Sequence, residues 1–279
     1  MSNRNNMDRM GSAPIHADAP KTSILDFVSP TEFVELPSKG LGYSKDHPLC
    51  GKDVIEIRYM TAKDEDILTS ETLLRKGVAL ERLLENIIID KTLDPKTMLI
   101  GDRNAVIIAA RASGYGNTYE TQVACPNCGT KARMVFDLSK PKIQEIKVEE
   151  SKIFSKNEKG NYLIKLPQTN FVVETRLLTG KDEHYLTQLA QSKKKNKLSD
   201  STMTDQYKMM IVSVEGTTDR SILDQFIEMM PAADSRFLRK AYKAIIPNIK
   251  ICDDFSCNSC GHEQELEVSF GADFFWPDS

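Results

Sequence analysis

Apolar side chains along this chain recur at two periods, and each period predicts one kind of element. Glu32-Phe33-Val34-Glu35-Leu36 alternates as a half-buried strand does until Pro37 stops it, and Val54, Ile55, Ile57 and Tyr59 predict a second strand. The stretch between them, Ser38-Lys39-Gly40-Leu41-Gly42-Tyr43, lacks the full glycine-rich phosphate fingerprint and the helix that should follow it, so it reads as a flexible hairpin loop. Thr61-Ala62-Lys63-Asp64-Glu65 predicts a helix start, because the threonine can cap a free amide and acidic residues suit the positive end of the helix dipole. That helix runs through Ile67 and Leu68. Leu80, Leu83, Leu84, Ile87 and Ile88, spaced by threes and fours, predict a second helix between Gly77 and Asp94-Pro95. A third begins near Asp102, carries Val106, Ile107 and Ala110, and ends before Gly114. Thr118 to Val123 and Ala132 to Leu138 then read as strands on either side of Cys125-Pro126-Asn127-Cys128-Gly129.

The order of these patterns recurs. Ile164-Lys165-Leu166-Pro167 echoes Val34-Glu35-Leu36-Pro37, and Arg176 to Glu183 echoes Arg58 to Glu65, with Thr179 answering Thr61 and Leu186 answering Leu68. Helical patterns follow at Tyr207, Met210, Ile211 and Val214, at Ile222, Leu223, Phe226 and Ile227, and at Phe237, Leu238, Tyr242 and Ile245. A second cysteine turn, Cys257-Asn258-Ser259-Cys260-Gly261, closes the copy. The expected fold class is α+β, built of two pseudo-repeats of a β-hairpin plus helices, joined by a zinc ribbon made from one C-x-x-C knuckle of each. Residues 1–23 read as a mobile arm with no apolar targeting core, 24–138 as the first repeat, 139–160 as a charged connector, 161–270 as the second repeat and 271–279 as an aromatic tail. Ser192-Lys193-Lys194-Lys195-Asn196-Lys197 reads as a basic insertion between helices, solvated by default. Phe274, Phe275 and Trp276 gather aromatics at a chain end, which predicts docking on the chain's own core or on a neighbour.

Composition narrows the function classes. The 279 residues are 40% hydrophobic and 28% charged, with formal net charge -3, ordinary values for a globular protein and not those of one built around phosphate neutralisation. Apolar runs such as Ile87 to Ile89 and Met209 to Val212 fall far short of a bilayer span. The four histidines, at 16, 47, 184 and 262, match no protease or deaminase spacing, and no serine or cysteine sits in a nucleophile elbow, so no catalytic set is expected.

The chemistry lies in the cysteines. Two thiolates separated by two residues can grip one ion from a tight turn, and two such turns supply the four sulfurs of a tetrahedral site. Cys125, Cys128, Cys257 and Cys260 are therefore the expected ligands of a structural zinc, with iron in the same cage the alternative that geometry does not separate. A disulfide framework or a redox C-x-x-C fits two glycine-terminated copies less well. His262 could replace a sulfur, and Cys50 and Cys252 read as small buried hydrophobes. A zinc-ribbon nucleic-acid-binding regulator is the alternative function, but Asp253, Asp254, Glu263, Glu265 and Glu267 surround the second knuckle, and acidic flanks repel phosphate.

Pro30 to Gly40, Met60 to Leu68, Gly101-Asp102-Arg103, Tyr115 to Tyr119 and Cys125 to Gly129 together resemble the baseplate hub proteins of T-even-type contractile-tailed bacteriophages, over most of the chain from Pro30 onward. The resemblance implies a non-enzymatic virion tail protein of the hub or hub/wedge junction, or of its assembly, working in the host cytoplasm before incorporation. Its implied partners are other baseplate and tail subunits in a symmetric assembly, with no membrane and no nucleic acid. The N-terminal arm and the lysine-rich insertion depart from the resemblance.

Overall fold

A computed structural model describes residues 29–144, 154–157, 160–199 and 201–275. The arm expected over 1–23 and Trp276 lie outside them. The architecture is α+β, with small antiparallel sheets among eight helices in the described residues. Strands β1 (Thr31–Glu35) and β2 (Val54–Arg58) pair antiparallel, and the helices α1 (Ala62–Thr69), α2 (Glu71–Lys76) and α3 (Ala79–Ile87) follow. A 3₁₀ turn, Pro95–Thr97, leads into the long helix α4 (Ile100–Tyr115), and the hairpin β3 (Thr118–Ala124) and β4 (Lys131–Asp137) carries the first cysteine turn. Gly114 does not end α4 as the sequence suggests; the helix closes at Gly116, whose φ of 85° suits glycine.

The later residues start with β5 (Lys142–Gln144) and β6 (Phe154–Lys156), two short strands inside the expected connector. Strand β6 joins β7 (Tyr162–Lys165), β8 (Val172–Thr175) and β9 (Ile211–Val214) in a four-stranded sheet, with α5 (Gly180–Lys195) and α6 (Thr202–Met210) between β8 and β9. Helices α7 (Arg220–Met229) and α8 (Ala232–Ile245) then lead through β10 (Asn248–Lys250) to the hairpin β11 (Cys252–Ser256) and β12 (Glu263–Glu267). Two expectations are corrected here. Ile211 and Val214 do not continue the helix of Tyr207 and Met210, because Ile211-Val212-Ser213-Val214 is rich in β-branched side chains and pairs with β8. Ser192 to Lys195 is not a loop but the last turn of α5, where lysines suit the negative helix end, and Lys193 bonds Asp205 at 2.6 Å.

The two threonine starts are built alike. Thr61 caps α1, and Asp64 reaches back to its backbone amide at 2.8 Å while accepting a two-pronged bond from Arg58 at 2.7 and 3.0 Å. Thr179 caps α5, and Asp182 reaches back to its amide at 2.9 Å while accepting the same bond from Arg176 at 2.7 and 2.8 Å. The hairpin loops are pinned in a parallel way. Asp102, in the first turn of α4, accepts from the Ser38 amide and hydroxyl and from the Tyr43 hydroxyl. Asp234, in the first turn of α8, accepts from the Gln168 and Thr169 amides. The loop after Pro37 is therefore anchored rather than flexible: Ser38 is buried, and a side chain on Gly40 would strike the backbone of Leu49 to Lys52.

One continuous hydrophobic cluster spans the described residues, from Val34 and Ile57 through α3, α4, β7 and α8 to Phe274 and Phe275. No helix among them is long and apolar enough to cross a membrane.

Candidate metal centre

Each cysteine turn is made by its own hydrogen bonds. Cys125 N–H donates to the Thr130 carbonyl and Gly129 N–H to the Cys125 carbonyl, and Cys257 with His262 and Gly261 repeats the pattern. Gly129 and Gly261 have φ of 74° and 68°, a left-handed conformation that glycine adopts without strain. The turns therefore hold their sulfurs on one side, with the first cysteine of each pair buried and the second exposed.

The fold brings the two turns together. Cys125 Sγ lies 3.7 Å from Cys260 Sγ, and Cys128 Sγ lies 3.7 Å from Cys257 Sγ. All four sulfurs fall within 4.8 Å of one another. A disulfide requires about 2.05 Å, so these are free thiols. Four sulfurs at about 2.3 Å from a tetrahedral ion would sit about 3.8 Å apart, which matches the observed pairs. The four cysteines can thus hold a metal ion, and a set of four thiolates suits zinc.

The two thiols of the first turn are shifted in opposite directions. Thr130, with Oγ1 at 3.3 Å from Cys128 Sγ, lowers the Cys128 thiol, whereas burial raises that of Cys125. Asn127 donates across the junction to Cys260 Sγ at 3.6 Å. His262 is not placed as a ligand; its ring pairs with Gln264. Cys50 is exposed and Cys252 half-buried, so neither is the buried hydrophobe that its sequence context suggested.

The segments leaving the cysteine hairpins clasp the opposite part of the chain. Beyond β4, β5 pairs with β10, and Gln144 donates to the Lys243 and Ile246 carbonyls at the end of α8. Beyond β12, Phe274 and Phe275 are buried against Tyr119 and Tyr115, and Arg111 of α4 donates to the Phe274 carbonyl. The aromatic tail therefore docks on its own chain as far as Phe275. Asp102 and Asp234 organise the loops before these helices; Asp102 stands in the sequence only as a helix start and within Gly101-Asp102-Arg103, Asp234 stands in no pattern, and neither marks a loop anchor, though each precedes its cysteine turn by the same number of residues.

A family model described as T4 bacteriophage base plate protein matches residues 31–276. No curated protein and no solved structure matches the chain.

Proposed function

The chain belongs to the T4 bacteriophage base plate protein family, and from that premise we propose that it is a structural, non-enzymatic subunit of a contractile tail baseplate, at the hub or hub/wedge junction or in its assembly, stapled by one structural zinc. Membership of the family implies a place in the virion tail and contacts with other baseplate or tail proteins. The observation that carries the zinc reading is the meeting of two cysteine turns from distant parts of the sequence at tetrahedral sulfur spacing. Cys125, Cys128, Cys257 and Cys260 would fill every position of such a site, leaving none for a water nucleophile, so the metal's role is to hold structure.

The same reading takes the chain as two copies of one unit, each giving one knuckle. It is supported by the matched Arg58–Asp64 and Arg176–Asp182 clamps, by the matched loop anchors Asp102 and Asp234, and by the reciprocal crossing of the segments beyond each hairpin. The cysteine contacts have the pattern of a local two-fold, since each first cysteine faces the other turn's second. A nucleic-acid role finds less support, because Glu263, Glu265, Asp253 and Asp254 present carboxylates beside the site.

The test is deletion of the gene in the phage, followed by complementation. The proposal expects that cells infected without this protein accumulate incomplete baseplates, that wild-type protein restores tails, and that a Cys128→Ser, Cys260→Ser chain does so poorly. Normal tails in its absence would refute the baseplate role.

A further inference from the structure

Every exposed charge on helix α8 has the same sign. Arg236, Arg239, Lys240 and Lys243, at i, i+3, i+4 and i+7, form one exposed stripe opposite the buried Leu238, Ala241, Tyr242 and Ile245. The acidic residue of the helix, Asp234, is buried and held by the Gln168 and Thr169 amides. Among the described residues none of the four cations has a carboxylate partner; Arg239 reaches the sulfur of Met203 at 2.9 Å. Cations three and four apart repel along a helix, and no glutamate stands between them to relieve it.

The hairpin of β11 and β12 has the opposite pattern. Phe255 is buried and Leu266 half-buried on its inner side. On its outer side Asp254 stands directly across from Glu265 and Ser256 across from Glu263, with Glu267 further along β12. Glutamate is a poor strand residue, and like charges directly opposite one another weaken a ribbon. Lys142 bonds Glu265 and Lys250 bonds Glu267, whereas Asp254 and Glu263 form no ion pair among the described residues.

The two faces match in sign and in length. From Arg236 to Lys243 the helix rises about 10 Å, and from Glu263 to Glu267 the strand extends about 13 Å, so cations and carboxylates can meet along one contact. No ion pair among the described residues joins α8 to this hairpin within the chain, which leaves the match available between copies. The segments outside the described residues complement the stripe less well. Residues 1–28 balance three acidic against three basic side chains, and residues 145–153 set three glutamates against two lysines.

We propose that the basic face of α8 docks the acidic outer face of the β11–β12 hairpin of a second copy of this chain. The contact goes beyond the baseplate role and does not depend on it. Charge draws the copies together and sets their register, and the exposed Ala232, Ala233 and Ala244 beside the stripe put no bulky side chain in the way of the ribbon. Nucleic acid suits the basic face less well, because the chain has net charge -3 and its acidic ribbon repels phosphate.

The test is sedimentation of the purified full chain over a range of protein and salt concentrations. Wild type should associate at about 0.05 M salt and fall back toward monomer at about 1 M, where screening is nearly complete. An Arg236→Glu, Lys240→Glu chain and an Asp254→Lys, Glu263→Lys chain should each self-associate about tenfold more weakly or worse, while keeping the wild-type Tm because all four side chains are exposed. Mixed in equal amounts, the two should associate again, since the acidic helix of one meets the basic hairpin of the other. A Lys63→Glu, Lys76→Glu chain, which changes the net charge equally on α1 and α2, should behave as wild type. Should the reversed hairpin lower the Tm, Asp254→Asn, Glu263→Gln carries the same comparison, mixed with wild type in place of the rescue. A monomer at every concentration in low salt, a reversed chain that associates as wild type does, or a mixture of folded variants no more associated than its parts overturns the proposal. Association that nuclease treatment abolishes overturns it too, and gives the basic face to nucleic acid.

Discussion

At the scale of single residues, buried polar groups do more to fix this chain than its sequence motifs suggest. The Asp64 side chain is fully buried while Arg58 is only partly so. Burial raises the Asp64 carboxyl, but the bonds from Arg58 and Thr61 outweigh it and leave the pKa below the ordinary 3.8. Replacing Asp64 by Asn leaves the guanidinium without its counter-ion and should cost about 3 kcal/mol at neutral pH. A depressed carboxyl contributes stability above its unfolded value and loses it as pH falls through the folded one. The gap between wild type and Asp64→Asn in urea unfolding should therefore be full at pH 7 and close below about pH 3.8. A gap that persists unchanged at pH 2 would mean that packing, not charge, is at stake. Gly101 gives a second check. Alanine is the better helix former, yet a Cβ at this position would strike the carbonyl of Pro247, a backbone group that cannot swing aside. Gly101→Ala should lose about 1–3 kcal/mol in thermal unfolding, the cost of overpacking, rather than gain about 1.

At the scale of elements, the sequence was legible where one local force acts and misleading where two compete. Thr61 and Thr179 announce helix starts because the cap, the acidic third residue and the following apolar spacing agree, and both helices form there. Ile211 and Val214 fit a helical spacing with Tyr207 and Met210, but pairing with β8 wins once the sheet edge is available, a choice no local window contains. Lys193 to Lys195 look like an insertion by charge alone, whereas helix capping energetics favour lysines in a last turn. The cysteine turns were readable because ligand spacing is chemistry rather than packing. Their anchors, Asp102 and Asp234, were not, since a lone aspartate in a helix first turn has many uses. The tail expectation left open whether Phe274 and Phe275 serve the chain itself or a neighbour, and their burial against Tyr115 and Tyr119 favours the first. Phe274→Ala should cost about 3–5 kcal/mol of stability, as large aromatic truncations in cores do. A variant that unfolds at the wild-type urea midpoint would show that the tail is merely laid on the surface.

At the scale of the whole molecule, each hairpin's exit segment reaches across to the other part, and the metal proposed between the two hairpins would close the chain. These ties reinforce one another, so a loss at the metal should be felt beyond the knuckles. Cys257→Ser should release the metal and speed proteolysis of both hairpins, while the core around α3 and α4 keeps its hydrogen-exchange protection; the binding energy of structural zinc, on the order of 10 kcal/mol in small domains, is only partly expressed where a large core remains. Equal proteolysis of the Cys257→Ser and wild-type chains would argue against a staple. The most direct measurement is elemental analysis of the purified, reduced chain together with its cysteine alkylation pattern. Cys128 and Cys260 are exposed, so burial alone cannot shield them. A zinc staple requires one zinc per chain, Cys50 alkylated readily, and Cys128 and Cys260 protected until a chelator is added. A metal content near zero, or Cys128 and Cys260 alkylated as fast as Cys50 without a chelator, would contradict it.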